Sequence, residues 1–289
     1  MGRRRGGRRL RFTKMHGLGN DFVMLDLISQ RVSLQPAHIR KIADRHCGIG
    51  CDQVLVVEPP INHSSDFRYR IFNTDGSEAE QCGNGARCFA RFVRDKQLTR
   101  KRVITVDTIG GPIILRIRDN HQVEVDMGPP RFDPSEIPLT AGQRQPSYTL
   151  TLAQDHEHEV REVEIGAVNM GNPHAVIKVD DVATAAVTEL GPAVQQHPHL
   201  PEAANVGFMQ VVSDNEINLR VYERGVGETL ACGSGSCAAV AYGIARGWLA
   251  QNVTVNLPGG KLTISWQGEG NGVLMTGPTT TVFEGSIQL

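Results

Sequence analysis

No apolar run in this 289-residue chain approaches the length of a membrane-spanning helix, so no membrane association is expected. Charge of one sign is not in excess either. The formal net charge is −1, which gives no reason to expect a nucleic-acid partner. No apolar stretch follows the basic start of the chain, so a secretory signal peptide is not expected; Phe12-Thr-Lys-Met-His-Gly already reads as folded sequence. Cysteines are few for a disulfide scaffold of this length: Cys47, Cys51, Cys82, Cys88, Cys232 and Cys237. Reduced thiols in a cytoplasmic protein are the expected state. Hydrophobic content of 40% and charged content of 21% fit a globular protein of one large domain or two medium ones.

The small net charge conceals an asymmetry. The opening Met-Gly-Arg-Arg-Arg-Gly-Gly-Arg-Arg-Leu-Arg carries six arginines and no acid. Residues 1–11 read as a solvated, disordered tail.

What the chain does have is a motif that occurs twice. Phe72-Asn-Thr-Asp-Gly-Ser-Glu-Ala-Glu-Gln-Cys-Gly-Asn-Gly-Ala-Arg-Cys matches Tyr222-Glu-Arg-Gly-Val-Gly-Glu-Thr-Leu-Ala-Cys-Gly-Ser-Gly-Ser-Cys. Aligning Cys82 with Cys232 aligns Phe72 with Tyr222, Glu78 with Glu228, Gly83 with Gly233 and Gly85 with Gly235 without a gap. One half of the chain repeats the other. Two equivalent thiols are therefore expected to face each other across a cleft, the geometry for moving a proton from one side of a carbon to the other.

Hydrophobic periodicity predicts strands on either side of a Gly17–Asn20 turn, a short helix over Pro36–Arg45, and strands over Gln53–Val57 and Phe67–Phe72. A helix is predicted over Ala86–Leu98, followed by strands at Val103–Thr108, Ile113–Ile117 and Gln122–Met127. Five prolines and two glycines in 128–147 mark a crossover between halves. The order then repeats. Strands are predicted at Glu162–Ala167, Ala175–Val179, Gly207–Val212 and Ile217–Tyr222, with helices over Thr184–Gln195 and Ala238–Arg246. Strands at Val253–Leu257, Leu262–Trp266 and Val273–Thr276 follow. Short strands joined by tight glycine turns favour antiparallel pairing.

Each Cys-Gly-x-Gly turn lies just before a predicted helix. Glycine lets backbone N–H groups approach a ligand, and a helix N-terminus suits a carboxylate. The same field is expected to lower a thiol pKa, leaving each cysteine poised between thiol and thiolate. Such a pair suits general acid–base catalysis: one sulfur removes a proton while the other delivers one. A single copy of the turn is weak, since free cysteine is commonly a small buried hydrophobe; the duplication gives it weight. Cys88 and Cys237 are rotated roughly 120–140° from the first cysteines on a helix and read as core. His46-Cys-Gly-Ile-Gly-Cys lacks a second ligand pair, so no metal site is expected there.

Amides recur in glycine-rich or loop contexts: Asn20, Gln53, Asn73, Asn172 and Asn205. Asn73 stands nine residues before Cys82, and Glu223, with Arg224 beside it, stands nine before Cys232. Asn20 and Asn172 occupy matching loops. A lone loop Asn is ordinarily turn chemistry, but amides with one Glu and one Arg suit a zwitterion. Glu223 would meet an ammonium, and Arg224 would grip a carboxylate. His174 reads either as a proton relay or as a structural hydrogen bonder.

The sequence resembles the diaminopimelate epimerase family from about Phe12 to its C-terminus. The carrying motifs are Lys14-Met-His-Gly-Leu-Gly-Asn-Asp-Phe, His46-Cys-Gly-Ile-Gly-Cys-Asp-Gln, Phe72-Asn-Thr-Asp-Gly-Ser-Glu and Gln81-Cys-Gly-Asn-Gly-Ala-Arg-Cys, with Gly171-Asn-Pro-His, Asn205-Val-Gly-Phe-Met-Gln, Tyr222-Glu-Arg-Gly and Ala231-Cys-Gly-Ser-Gly. The resemblance implies an α/β (α+β) fold of two pseudo-symmetric halves, each a mainly antiparallel curved sheet wrapped around a central helix. It sets the halves at 12–128, with 278–289 returning to the first, and 129–277. It implies interconversion of LL- and meso-2,6-diaminopimelate, toward lysine and peptidoglycan, by a homodimer without pyridoxal phosphate or metal.

By residue match the resemblance makes Cys82 and Cys232 the acid/base thiols. Asn20, Gln53, Asn73, Asn172, Asn205, Glu223 and Arg224 would hold substrate, with Gly83, Asn84, Gly233 and Ser234 supplying helix-N-terminal groups and His174 supporting the site. Cys51 replaces the family's usual aromatic, and the Arg-rich tail lies outside the family pattern. Two other readings stand beside this one: a proline racemase-like enzyme, and a redox or binding protein that uses Cys82 and Cys232 as a disulfide switch.

Overall fold

The computed structural model describes residues 9–79, 82–152 and 161–289. The chain divides into two units, one running to Val125 and resumed over Gly277–Leu289, the other Asp126–Thr276. Expected tail residues 1–8 and motif residue Gln81 lie outside the described residues. Among the described residues no helix is long and apolar enough to cross a membrane.

The first unit opens with β1 (Arg9–Gly17) and β2 (Asn20–Asp26), an antiparallel hairpin whose Gly17 faces Asn20. Its two turn residues, Leu18 (φ 57) and Gly19 (φ 91), are both left-handed, the combination that matches the twist of a two-residue hairpin. That turn sets Asn20 at the very start of β2. Next come α1 (Pro36–Ala43), β3 (Gln53–Glu58), β4 (Phe67–Asn73), β5 (Glu78–Ala79), α2 (Gly83–Asp95), β6 (Val103–Thr108), β7 (Gly111–Ile117) and β8 (Val123–Asp126). Along β4, buried Phe67, Tyr69 and Ile71 alternate with half-buried Arg68 and Arg70, the period-two pattern of a strand with one face on a core.

Pairing is antiparallel throughout except for β2 with β3 and β4 with β6. Ten of the thirteen residues of α2 are buried, so the helix is enclosed rather than laid on a surface. It packs on β1, β2, β3 and β7. The shorter α1 buries Ile39, Ile42 and Ala43 in a separate apolar cluster with Val23, Leu25, Val54 and Val56. Each fully buried Ile, Leu or Val side chain among them is worth about 1.5–3 kcal/mol.

The second unit contains β9 (Tyr148–Leu152), β10 (Arg161–Asn169), β11 (Pro173–Lys178), α3 (Val187–Gln195), β12 (Asn205–Ser213), β13 (Glu216–Glu223), β14 (Gly227–Thr229), α4 (Gly233–Ala245), β15 (Asn252–Leu257), β16 (Gly260–Ser265) and β17 (Leu274–Gly277). Its pairings repeat those of the first unit: β11 with β12 and β13 with β15 are parallel, and the neighbours are antiparallel. The enclosed helix is α4, buried without interruption from Gly235 to Gly243. Small residues let the sheet close around it. A Cβ on Gly166 of β10 would lie 2.3 Å from the Tyr242 ring, so only glycine fits there. Two pseudo-symmetric halves of mixed α/β structure, each a mainly antiparallel sheet around one helix, are thus what the chain forms.

Two expectations are corrected. The tail was expected to reach residue 11, yet Arg9, Leu10 and Arg11 belong to β1 and pair with Gln288, Ile287 and Ser286 of β18 (Thr280–Gln288). Leu10 is fully buried, and the apolar contact outweighs the charge of its arginine neighbours, which point outward. The helices also begin earlier than predicted, at Gly83 and Gly233 rather than Ala86 and Ala238. Glycine is a poor helix former, but a capping cysteine and enclosure in the core override that propensity.

Candidate active site

Cys82 is the N-cap residue of α2. Its backbone is extended, and its Sγ accepts a hydrogen bond from Gly85 N–H at 3.4 Å. Gly83 and Asn84 form the first turn of the helix that Cys82 caps. Asn20 joins the cluster: Cys82 Sγ lies 3.7 Å from Asn20 Oδ1, and Asn84 Nδ2 lies 3.4 Å from the same atom. Asn84 is in turn held by the fully buried Arg87, whose guanidinium donates to Asn84 Oδ1 at 2.8 Å.

Asn20 is buttressed from behind. Its Nδ2 donates to Asp52 at 2.9 Å, and Arg45 bridges Asp52 (2.7 Å) and Asp21 (2.8 Å). Burial works against ionisation of Asp21, but Arg45 and then Lys14 hold its carboxyl well below the usual range. Gln53 and Asn73 form a second amide group on adjacent strands, paired in register and joined from Gln53 Nε2 to Asn73 Oδ1 at 3.0 Å. Asn73 Nδ2 also donates to Ser77.

In the second unit Cys232 occupies the matching position, the N-cap of α4, with Gly233 and Ser234 in the first turn. Its Sγ lies 3.7 Å from Ser234 Oγ. A chain of contacts continues from Ser234 to Asn172 Nδ2 (3.4 Å), and from Asn172 Oδ1 to His174 Nε2 (2.9 Å). His174 stands on β11 where Phe22 stands on β2, since each faces the first residue of the next parallel strand, Asn205 or Gln53. Burial, and then the charge of Arg224, lower the His174 pKa to about 3. The ring is therefore neutral at ordinary pH. Its geometry is that of a hydrogen bonder to Asn172 and not of a cationic relay.

Glu223 closes β13 and accepts a hydrogen bond from the Thr229 hydroxyl on β14. It also acts on the neighbouring sulfur: burial first, and then the Glu223 charge, push the Cys232 thiol well above its usual value. This corrects the expectation that both helix termini leave their cysteines poised. At Cys232, desolvation and a like charge outweigh the helix field. Cys88 and Cys237 are fully buried in the core.

Asn205 and Arg224 have local employment. Asn205 is 4% exposed; its Oδ1 accepts from Arg224 N–H at 2.9 Å and its Nδ2 donates to Pro173 O at 3.4 Å. The exposed Arg224 guanidinium donates to Glu202 O at 2.9 Å. Arg87, Asp52, Arg45 and Thr229 are supports that no local sequence pattern singles out. Asp52 lay inside a quoted motif, and the Glu-Thr pair before Ala231-Cys was part of the repeat; nothing marked Arg87 as a partner of Asn84.

The family described as diaminopimelate epimerase matches residues 12–132 and 166–282. A diaminopimelate epimerase of Pseudomonas entomophila is 58% identical over 281 residues, 97% of this chain and 99% of the relative. The enzyme of that name from Nitrosomonas europaea is also 58% identical, over 97% of this chain and all of the relative. The chain belongs to the diaminopimelate epimerase family. Solved structures extend the family's fold to more distant proteins. A hydroxyproline epimerase from Agrobacterium vitis superposes with a TM-score of 0.68 at 16% identity, over 98% of this chain and 93% of its own. A PhzF-family phenazine biosynthesis protein from Bacillus anthracis gives 0.68 at 15%, over 98% and 100%. At those identities the likeness speaks for the fold alone.

Proposed function

We propose that the protein is a cofactor-independent isomerase that interconverts LL- and meso-2,6-diaminopimelate, with Cys82 and Cys232 as its two acid/base sulfurs. The observation that supports this reading is one cysteine capping each enclosed helix at matching positions, in a chain 58% identical to enzymes of that name. In the reaction one sulfur, as thiolate, takes the α-proton, and the other, as thiol, gives a proton to the opposite face. No electron changes hands, and the two sulfurs end with exchanged protonation. Burial, and then the Glu223 charge, favour the thiol form of Cys232 before substrate arrives.

Removing the α-proton leaves negative charge that spreads into the adjacent carboxylate. Amide N–H groups of Gly83, Asn84, Gly233 and Ser234 at helix N-termini are suited to hold it. Asn20, Gln53, Asn73, Asn172, Asn205, Glu223 and Arg224 hold the remaining polar groups of the substrate, with His174 fixing Asn172. The unlike flanks, an amide pair in one unit and an acid with an arginine in the other, support a substrate with polar groups at both ends. No step is assigned to pyridoxal phosphate or metal. The product would serve lysine and peptidoglycan synthesis; a homodimeric, cytoplasmic enzyme is part of the same reading.

Turnover in deuterated water tests it. The wild type should place solvent deuterium at the inverted centre of LL-diaminopimelate, and Cys82→Ala and Cys232→Ala should each lose epimerisation severely. Normal epimerisation by either variant removes that sulfur from the mechanism. A proline racemase-like activity is the other reading that the fold supports, and turnover of proline but not of diaminopimelate would favour it.

A further inference from the structure

Tyr69 carries a hydroxyl that its surroundings do not explain. The residue lies on β4, is 2% exposed, and packs its ring against Phe89 with centroids 4.8 Å apart. Its Oη has no hydrogen-bond partner among the described residues. A phenylalanine would fill the same apolar site without burying a polar atom, so an unmade hydrogen bond here asks for a reason.

The hydroxyl sits under the first turn of α2. A Cβ built on Gly85 would stand 2.4 Å from Tyr69 Oη and 3.5 Å from Cys82 Cβ. Gly85 is also the residue whose N–H bonds to Cys82 Sγ. The internal repeat supplies a control. Shifting by the spacing of the two cysteines carries Gly85 to Gly235 and Tyr69 to Leu219. A Cβ on Gly235 would meet Cys232 Sγ and Val221 Cγ2, both at 3.2 Å, and no hydroxyl. The phenol therefore stands under one cysteine turn, together with Leu55 Cδ1 at 3.1 Å from the same Gly85 Cβ, whereas Val221 is the neighbouring side chain at the matching place in the other.

We propose that Tyr69 is a positioning residue for Cys82, its buried O–H serving as the polar floor that favours the Cys82 thiolate, a contribution that Val221, at the matching place beside Gly235, cannot make to Cys232. Burial keeps the phenol protonated, and so a donor, at any working pH. The inference rests on the reading of Cys82 as an acid/base group. It gives two sulfurs in repeated settings unlike surroundings.

The test is the full-length Tyr69→Phe protein, with the iodoacetamide reaction of Cys82 and Cys232 followed separately across pH by peptide mass spectrometry. The pH midpoint for Cys82 should rise by about one unit, making its alkylation about tenfold slower below that midpoint, while that of Cys232 stays in place. The acidic limb of the epimerisation profile should move with Cys82. An unchanged Cys82 midpoint, with a raised melting temperature, would show the hydroxyl to be an unpaired group only and overturn the proposal. Should Tyr69→Phe fail to fold, 3-fluorotyrosine incorporated in place of tyrosine gives the opposite shift: a stronger donor should lower the Cys82 midpoint, and no shift overturns the proposal. Retained activity in Cys82→Ala would instead strike at the underlying reading, which the alkylation midpoints do not depend on.

Discussion

Asn172 Oδ1 lies 2.9 Å from His174 Nε2, and the ring that makes this contact is 1% exposed. The pair fixes the amide that leads on to Ser234 and Cys232. It also ties the stability of the second unit to pH through a side chain that carries no charge at neutrality.

In the folded protein the His174 pKa is lowered to about 3 from an ordinary value of 6.5. The unfolded chain therefore binds a proton that the folded one refuses. The contribution is full above about pH 6.5 and declines as pH falls toward 3, by roughly 1.4 kcal/mol per unit. Between pH 7 and pH 5 the wild type should lose about 2 kcal/mol more stability than His174→Gln, which keeps a neutral hydrogen bonder. Denaturant titrations of both proteins at the two pH values measure this. Equal losses would mean that His174 titrates normally.

Thr229 holds Glu223 through its hydroxyl, from a strand paired to β13 with Tyr222 facing Glu228. Thr229→Val should lower kcat about tenfold, since a misplaced carboxylate alters both substrate binding and the protonation of Cys232. Stability should change by no more than about 1 kcal/mol, the net worth of one hydrogen bond. Thr229→Ser should retain most activity. Steady-state kinetics with a thermal melt of each variant separates the two effects.

Gly166 faces the Tyr242 ring at a distance that leaves no room for a methyl group. Gly166→Ala should destabilise the protein by about 1–3 kcal/mol by overpacking. The melting temperature should fall by roughly 2–4 °C for each kcal/mol. The site residues lie at the other end of α4, so kcat of the folded fraction should hold. A melt unchanged by the extra methyl would mean that the ring has room to move.

Much of this architecture was legible in the chain. The twin Cys-Gly-x-Gly turns announced a repeat, and the strand pairings repeat accordingly. Phe67, Tyr69 and Ile71 showed β4 by alternation alone. Other parts were not legible, for physical reasons. The start of each main helix was hidden because Gly83 and Gly233 are poor helix formers locally and are held helical by tertiary enclosure. Tyr148–Leu152 went unmarked beside a proline-rich stretch, although its buried and exposed residues alternate. Thr280–Gln288 has little buried surface to signal its partner. The Arg45–Asp21–Asp52 and Arg87–Asn84 supports depend on which loops meet, and no local pattern states that. The Cys232 protonation state was read wrongly from the helix field, because burial and Glu223 act through space.

The pairing of β1 with β18 has a consequence for how the chain is made. Arg9 faces Gln288, so the strand that flanks the first hairpin is separated from it by the whole second unit in sequence. During synthesis the second unit has all of its strands before β18 exists, and can fold first although it begins later. The first unit, with Leu10 and Phe12 waiting for the last strand, closes last. Vectorial synthesis thus meets a unit written at both ends of the message, and the exposed edge of β1 is the segment that chaperones and aggregation would compete for in the interval.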